Sequence, residues 1–272
     1  MSTPSTASYP TLLLNRTYLY QNNTYRRKLY MNLDSTKYET MELLTPESVG
    51  KICQPTKLFP YTSQDTDVWD IIKKADFDPS NANCIRLIYT RYSIHPGRRG
   101  KEKDSGWNRE HCWPKSLSNM PKKISSPGIG TDAHNLFCAD PSINSTRQNK
   151  YFDIGGHNVI DRSPAPGYSG KTQSYTDHDS WEPPDAAKGV VARAILYMRC
   201  AYASHGLKLV ENPQSDLEMG KLSVLLRWNL EYPPDDWERS RNRIIMHFQG
   251  NSNPFIIDNT LANIVDWRDE KG

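Results

Sequence analysis

Trp107-Asn108-Arg109-Glu110-His111-Cys112-Trp113-Pro114 is the most informative segment of the chain, and the segment from Ser142 to Asn149 complements it. The first segment sets the carboxylate of Glu110 beside the imidazole of His111, and the second supplies the amide oxygen of Asn144. Carboxylate and amide oxygens are hard ligands that suit Mg²⁺. An imidazole with a pKa of about 6.5 can take a proton from water at neutral pH. This combination predicts metal-assisted hydrolysis of a phosphodiester.

The residues around this stretch predict a strand, a loop and a helix in that order. Pro114 ends the strand that carries Glu110 and His111, and Asp140-Pro141-Ser142 turns the chain into a helix from about Ile143. Neighbouring residues of a flat strand point to opposite faces. We therefore expect a bulge or a strand end at Glu110 and His111, since both side chains must face one site.

Further elements are predicted around this unit. Residues 84–90 are typical of a strand, 132–137 of a short extended piece, and the Gly- and Pro-rich stretch 155–175 of an ordered surface loop. Helical spacing predicts helices at 68–74, from Pro183-Pro184-Asp185 to Ala201, at 217–231 and at 235–248. The predicted fold class is α+β, with a catalytic core at about 85–155 surrounded by helices in a domain spanning 64–272. Residues 1–63 are predicted to form an N-terminal extension, either an accessory hairpin with strands at 18–20 and 28–31 or an extended arm.

The charge of the chain is informative through its distribution. The net charge is only +3, but a basic collar surrounds the motif; it consists of Arg86, Arg91, Arg98, Arg99, Lys101, Lys103, Arg109, Lys115, Lys122 and Lys123. Such a collar attracts a polyanion and makes binding dependent on salt. A solvated lysine-rich surface would show the same pattern, so charge alone leaves both interpretations open.

The cysteine content and the apolar runs bear on the cellular compartment. The five cysteines are widely spaced and include no CxxC pair, which argues against a zinc site. They favour buried free thiols in a reducing compartment. No apolar run approaches the length of about 18 residues that a membrane span needs, and the first residues lack the features of a signal peptide. We therefore expect an intracellular monomer that does not bind membranes.

Several ordered blocks of the chain resemble the endonuclease I family of non-specific nucleases, which belongs to the ββα-metal (His-Me finger) superfamily. The central blocks are Glu110-His111-Cys112-Trp113-Pro114, Asp132-Ala133-His134-Asn135-Leu136 and Asn144-x-x-Arg147-x-Asn149-x-x-Phe152. Outer blocks extend the likeness over roughly residues 65–258, from Val68-Trp69-Asp70-Ile71 to Gln249-Gly250-Asn251-Ser252-Asn253-Pro254-Phe255. One such block would be weak evidence, whereas several in the same order are specific.

The resemblance implies a role for each matching residue. His111 would be the general base, and Glu110 and Asn144 would hold one Mg²⁺ or Mn²⁺ ion. The products would carry 5′-phosphate and 3′-hydroxyl ends. Arg147 would be a catalytic residue that either contacts phosphate or pairs with Asp132.

Further residues are assigned supporting or substrate-binding roles. Asn149 would lie on the helix and hydrogen-bond the loop that carries His111. His134 would either orient the site or serve as a structural histidine, beside a supporting Asp132. Substrate-binding cations would be Arg109, Lys122 and Lys123, with the two lysines substituting for a phosphate-binding arginine of the family.

Three functional classes follow from these residues. The first is a Mg²⁺-dependent endonuclease that binds DNA and RNA through the phosphate backbone; because an external water attacks, no 2′-hydroxyl is needed. The second is a nucleic-acid-binding protein that kept the fold and lost turnover. The third is a cysteine hydrolase that uses Cys112 or Cys138 with His134, which would require an environment that lowers the pKa of the thiol.

Overall fold

A computed structural model describes residues 44–100, 106–121, 123–215 and 218–267. The strands predicted at 18–20 and 28–31, and the collar residues Lys101, Lys103 and Lys122, lie outside these ranges. The described residues form one compact unit. Among them, no helix combines the length and the apolar character that crossing a bilayer requires.

The centre of the fold is a two-stranded antiparallel sheet followed by a helix. Strand β4 (Asn108–His111) pairs with β5 (Leu136–Ala139), with Glu110 opposite Phe137 and His111 opposite Leu136. Helix α3 (Pro141–Arg147) follows at once. Its start is fixed locally, because the Asp140 side chain accepts hydrogen bonds from the first backbone N–H groups of the helix and Pro141 occupies its first turn. This arrangement confirms the predicted α+β class and the strand–loop–helix core.

The junction of β4 with the loop resolves how neighbouring residues share one site. The pairing of β4 with β5 is regular through all four residue pairs, so β4 contains no bulge. His111 is instead the last residue of the strand. The predicted strand end is therefore the correct alternative, and both residues line the same cleft.

The remaining elements surround this unit. The helices are α1 (Pro46–Cys53), α2 (Val68–Ala75), α4 (Asp185–Ala201), α5 (Leu222–Glu231), α6 (Asp236–Gln249) and α7 (Pro254–Ile257). The strands are β1 (Phe77–Asp78), β2 (Asn81–Arg86), β3 (Ser93–Ile94), β6 (Tyr151–Phe152), β7 (His157–Ile160), β8 (Lys171–Thr176), β9 (Ser180–Glu182), β10 (Lys208–Leu209) and β11 (Glu218–Met219). Strands β1–β3 form one sheet, and β6, β9, β8 and β7 form another in that order.

Three predictions of secondary structure from the sequence were wrong. The strand predicted at 84–90 ends at Arg86, and residues 88–90 form a turn in which Ile88 and Tyr89 are buried by tertiary packing. The loop predicted at 155–175 contains β7 and most of β8, whose alternate residues are buried against the body of the protein. The helix predicted from 217 begins only at Leu222, because Glu218 and Met219 pair with Lys208 and Leu209.

Residues that were predicted to belong to the N-terminal extension contribute to this unit. Helix α1 packs against α4, where the backbone of Gly50 lies so close to Cys200 that a Cβ atom would clash with the Cys200 carbonyl. The backbone N–H groups of Thr56 and Lys57 donate to the carbonyl of Gln249. The boundary at residue 63 stays a prediction, since most of the extension lies outside the described residues.

Candidate active site

The end of β4, the loop after it and the end of α3 enclose a cleft of about 640 Å³. Five residues singled out from the sequence line it, namely Arg109, Glu110, His111, Asn144 and Asn149. Six further lining residues are Tyr61, Pro114, Lys115, Ser116, Met120 and Gln148. The tertiary structure therefore brings the predicted base and the predicted metal ligands into one cavity.

His111 is held as a neutral base. Its ring Nε2–H donates to the carbonyl of Gly130 at 3.0 Å, which leaves Nδ1 with the lone pair that can accept a proton. Burial lowers the pKa of His111 to about 3, and the nearby positive charge of Lys115 acts in the same direction. The imidazole is consequently unprotonated at neutral pH, as a general base requires.

Glu110 lies beside His111 with one oxygen already engaged. Its Oε1 accepts hydrogen bonds from the Tyr89 hydroxyl at 2.6 Å and from Arg147 Nη1 at 3.1 Å. Burial raises the pKa of this carboxyl, although Arg147 and Tyr89 act to lower it. The two bonds on Oε1 fix the orientation of the carboxylate where it lines the cleft, and a backbone hydrogen bond from His111 also holds it.

Asn144 supplies the second oxygen from helix α3. Its Nδ2 donates to Asn108 Oδ1 at 2.8 Å and to the carbonyl of Arg109 at 3.3 Å. Because both amide protons are used on β4, the carbonyl oxygen Oδ1 remains as the acceptor. A carboxylate oxygen and an amide oxygen in one cleft are a donor set that fits a hard divalent cation.

Arg147 takes neither of the two roles left open for it. Its side chain is fully buried, and it pairs with Glu110 rather than with Asp132. It also donates to the carbonyls of His111 at 3.0 Å and Cys112 at 2.8 Å. The predicted pair with Asp132 was therefore wrong, and contact of this enclosed guanidinium with a substrate phosphate is not favoured. It is a positioning residue for the end of β4.

Asp132 and His134 lie behind the cleft and line none of it. Asp132 accepts hydrogen bonds from the hydroxyls of Tyr197 and Tyr202 at 2.6 and 2.8 Å. His134 is buried against Tyr197 and hydrogen-bonds the carbonyl of Asn251. His134 is thus the structural histidine of the two alternatives, and both residues anchor the loop whose Gly130 carbonyl holds His111.

Asn149 lines the cleft but not from a helix. Helix α3 ends at Arg147, and Gln148 has a φ of 55°, a conformation that is unfavourable for a residue with a Cβ atom. The helix therefore ends before Asn149, which is exposed at the cleft. Its predicted position on the helix was therefore wrong, and only its proximity to the site was anticipated.

The predicted substrate-binding cations have different surroundings. The Arg109 guanidinium lies between the rings of Tyr61 and Trp69, and burial lowers its pKa to about 10. Lys123 is exposed and is not among the residues that line the cleft. Lys122 is outside the described residues. Lys115 lines the cleft instead, on a short 3₁₀ helix directly after Pro114.

Other residues that shape the site were missed as site residues. Asn135 joins the two sides of the loop, because its Oδ1 accepts from the backbone N–H of Trp113 at 2.7 Å and its Nδ2 donates to the Trp113 carbonyl. The sequence held only weak signals for these residues as part of the site. Asn135 lies in one of the segments that resemble the family, and Lys115 lies in the basic collar. Tyr61 lies in the segment that was assigned to the N-terminal extension.

The thiols do not form a second active site. Cys112 and Cys138 are fully buried, and burial raises the pKa of both well above the usual range. This is the reverse of the environment that a nucleophilic cysteine needs. The cysteine hydrolase interpretation is therefore disfavoured.

Comparisons with known proteins identify the family of the chain. The family model described as Endonuclease I matches residues 51–260. The chain is 41% identical over 216 residues to an extracellular ribonuclease of Bacillus amyloliquefaciens, covering 75% of this chain and 67% of that protein. It is 34% identical over 149 residues to a periplasmic deoxyribonuclease of Aeromonas hydrophila, covering 53% of this chain and 55% of that protein.

These relatives contradict the expectation of an intracellular protein, because their names place them outside the cytoplasm. The cysteine argument failed for a physical reason. Cys53, Cys112, Cys138 and Cys200 are buried, and a thiol that is shielded from solvent resists oxidation without a reducing compartment. Free cysteines therefore did not identify the compartment.

Proposed function

Since the chain belongs to the endonuclease I family, we propose that it is a metal-dependent endonuclease that hydrolyses the phosphodiester bonds of both DNA and RNA. The observation that carries the proposal is the cleft in which Glu110, a neutral His111 and Asn144 lie together. Relatives named as a ribonuclease and as a deoxyribonuclease support a substrate range that includes both polymers.

His111 performs the proton transfer in this proposal. Its Nδ1 takes a proton from a water molecule, whose oxygen then forms a bond to phosphorus while the bond from phosphorus to the 3′ oxygen breaks. The leaving oxygen acquires a proton from solvent, so the products are 5′-phosphate and 3′-hydroxyl ends. The hydrogen bond from Nε2 to the Gly130 carbonyl stabilises the imidazolium that forms.

Glu110 and Asn144 would hold the divalent cation, Mg²⁺ or Mn²⁺. When bound, such an ion polarises the phosphoryl oxygen and stabilises the charge on the departing oxygen. Among the described residues, no three His, Cys, Asp or Glu side chains cluster in a way that could hold a metal. One carboxylate and one amide oxygen therefore favour an ion that keeps several waters, as Mg²⁺ does.

Lys115 is proposed to bind the substrate phosphate. It lines the cleft with His111 and contributes a positive charge there. The other described arginine or lysine that lines the cleft is Arg109, whose guanidinium is engaged with Tyr61 and Thr62. Because of its position in the cleft, Lys115 is proposed in place of Lys122 or Lys123, to which the sequence assigned this role.

We also propose that the protein acts outside the cytoplasm, on the basis of the compartments that the names of its relatives give. A nuclease that accepts both polymers through the phosphate backbone would need no sequence consensus. Digestion of a random-sequence library tests this, and a sharp consensus at the cut sites would contradict it.

The test of the proposed activity is degradation of supercoiled plasmid and of a long RNA, with Mg²⁺, with Mg²⁺ plus EDTA, and with the His111→Ala variant. We expect both polymers to be cut only when the metal is present. The variant should lose a factor of roughly 10² to 10⁴ in rate. Tight binding of the plasmid without cleavage by the unaltered protein would instead support the inactive binding protein.

A further inference from the structure

A layered stack of aromatic rings and one guanidinium borders the cleft. The guanidinium carbon of Arg109 lies 3.2 Å from the ring centroid of Tyr61 and 3.9 Å from that of Trp69. Both distances are well inside the range of about 6 Å over which a cation is attracted to a ring face. Tyr61 is the aromatic layer of this stack that lines the cleft, which Arg109 lines as well.

Hydrogen bonds and ring contacts fix the stack in place. Arg109 donates to the carbonyl of Tyr61 and, at 3.4 Å, to Thr62 Oγ1. The indole N–H of Trp69 donates to the same hydroxyl at 3.3 Å, and its ring meets Trp107 edge-on with centroids 5.1 Å apart. The position of Tyr61 is therefore set before any ligand arrives, which lowers the entropic cost of binding.

The ring of Tyr61 presents aromatic surface beside the proposed base. Arg109 covers one face of the ring, so a ligand in the cleft can meet only the opposite face or the ring edge. The ring centroids of Tyr61 and His111 are 5.8 Å apart. A phosphate within reach of His111 would thus place a neighbouring nucleobase close to Tyr61, since successive bases follow the backbone.

We propose that Tyr61 is a nucleobase-stacking site, so that the protein prefers substrates whose bases are unpaired next to the cut. This inference rests on the proposed nuclease function and adds to it a preference for single strands. Every base has a π-face, so stacking on a fixed aromatic ring tolerates any sequence. Bases in a duplex are already stacked and must be extruded before they can reach such a ring.

The first experiment measures stacking without turnover. Single-stranded DNA oligonucleotides that carry 2-aminopurine at one position are bound in EDTA by the His111→Ala protein, with Tyr61 intact, changed to Phe or changed to Leu. We expect quenching of the fluorescence at one position with Tyr61 and with Tyr61→Phe, and its loss with Tyr61→Leu. An oligonucleotide that is abasic at that position should bind about 10-fold more weakly than the intact one.

The comparison of intact with abasic oligonucleotides separates stacking from general damage. Tyr61→Leu should bind both equally, because the ring that distinguishes them is gone. A Tyr61→Leu protein that still prefers the intact oligonucleotide about 10-fold would overturn the proposal and limit Tyr61 to supporting Arg109. If this variant does not fold, photocrosslinking of 5-iodouracil oligonucleotides to the unaltered protein decides: an adduct on Tyr61 supports the site, and adducts only elsewhere overturn it.

The outcomes also distinguish this inference from the proposed function. Quenching by a protein that never cleaves would leave the stacking site standing and remove the nuclease activity. Cleavage of plasmid and RNA without quenching at any position would support the nuclease activity and overturn the stacking site. In an active protein, we expect the ratio of kcat/KM on single-stranded to duplex DNA to fall about 10-fold with Tyr61→Leu and to remain unchanged with Tyr61→Phe.

Discussion

In the proposed function, Lys115 supplies the phosphate-binding cation that the motif lacks. The base, the carboxylate and the amide are all contained in the sequence motifs, but a cation for the substrate phosphate is not. Arg109 and Arg147 are adjacent to the motif residues or lie on the same helix, yet both guanidiniums are enclosed by protein groups. Lys115 is placed in the cleft by the short turn after Pro114.

Replacing Lys115 by Gln is expected to lower kcat/KM by about 100-fold, because a charge that binds the reacting phosphate is lost while the side-chain length is kept. Lys115→Arg should retain most of the activity. Initial rates on a single-stranded oligonucleotide measure the effect. Lys171→Gln, at an exposed position of β8, is the matched control, and equal rates for the two Gln variants would argue against a role for Lys115.

At the scale of elements, the site depends on how α3 is joined to the end of β4. The two elements are connected by polar groups from both sides. Asn144 binds Asn108 and the Arg109 carbonyl at the start of the strand. Arg147 binds Glu110 and the two carbonyls that follow it. The helix therefore fixes the strand end on which the base and the carboxylate are carried.

The variant Arg147→Met is expected to lower the free energy of unfolding by about 3–5 kcal/mol, since it leaves the buried carboxylate of Glu110 without a cation. Chemical denaturation at pH 7.5 measures this loss. The double variant Glu110→Gln/Arg147→Met should be less destabilised than the sum of the two single variants. Strict additivity would show that the ion pair contributes nothing to the junction.

At the scale of the whole molecule, buried histidines couple stability to pH. Burial lowers the pKa of His134 to about 4, and Arg241 acts in the same direction, whereas Asp132 and the Asn251 carbonyl oppose it. The unfolded chain protonates this residue at about pH 6.5. The contribution of neutral His134 to the free energy of unfolding is therefore fully present above about pH 6.5 and is lost as the pH falls towards 4.

When the pH is lowered from 7.5 to 4.5, the free energy of unfolding should fall more in the unaltered protein than in its His134→Gln variant. The difference between the two losses should be roughly 3 kcal/mol at most. Denaturation with urea at the two pH values gives this difference directly. The variant is expected to be the less stable protein at pH 7.5, because the packing against Tyr197 is altered. An equal loss in both proteins would assign the acid sensitivity to other groups.

The basic collar is less available to a polyanion than its composition indicates. Arg86 pairs with Asp78 at 2.7 Å, and the side chains of Arg91 and Arg109 lie against aromatic rings.

The affinity for single-stranded DNA should fall as the salt concentration rises, and the slope of log K against log salt should correspond to a few phosphate contacts. With two contacts, log K against log salt has a slope of about −1.4. A slope near −7 would mean that the entire collar binds phosphate.

The sequence alone was enough to predict the fold class and the order of the core elements, and the proposed roles of Glu110, His111 and Asn144 also come from it. Residues close in sequence specify both the ligand types and the strand–loop–helix order. Helix starts at Asp67, Asp140 and Asp235 were readable for the same reason, since a cap is formed by groups within a few residues of one another.

Which groups face the cleft and which support it could not be predicted from the sequence and became visible in the folded protein. Arg147 could have met a phosphate or Asp132, and it meets Glu110. Tyr61 reaches the site from a segment that gave no signal, and the hairpin of β7 and β8 forms in a stretch that resembles a loop. These outcomes depend on burial and on contacts between residues far apart in the chain, where the cost of enclosing a charge or a polar backbone selects the partner.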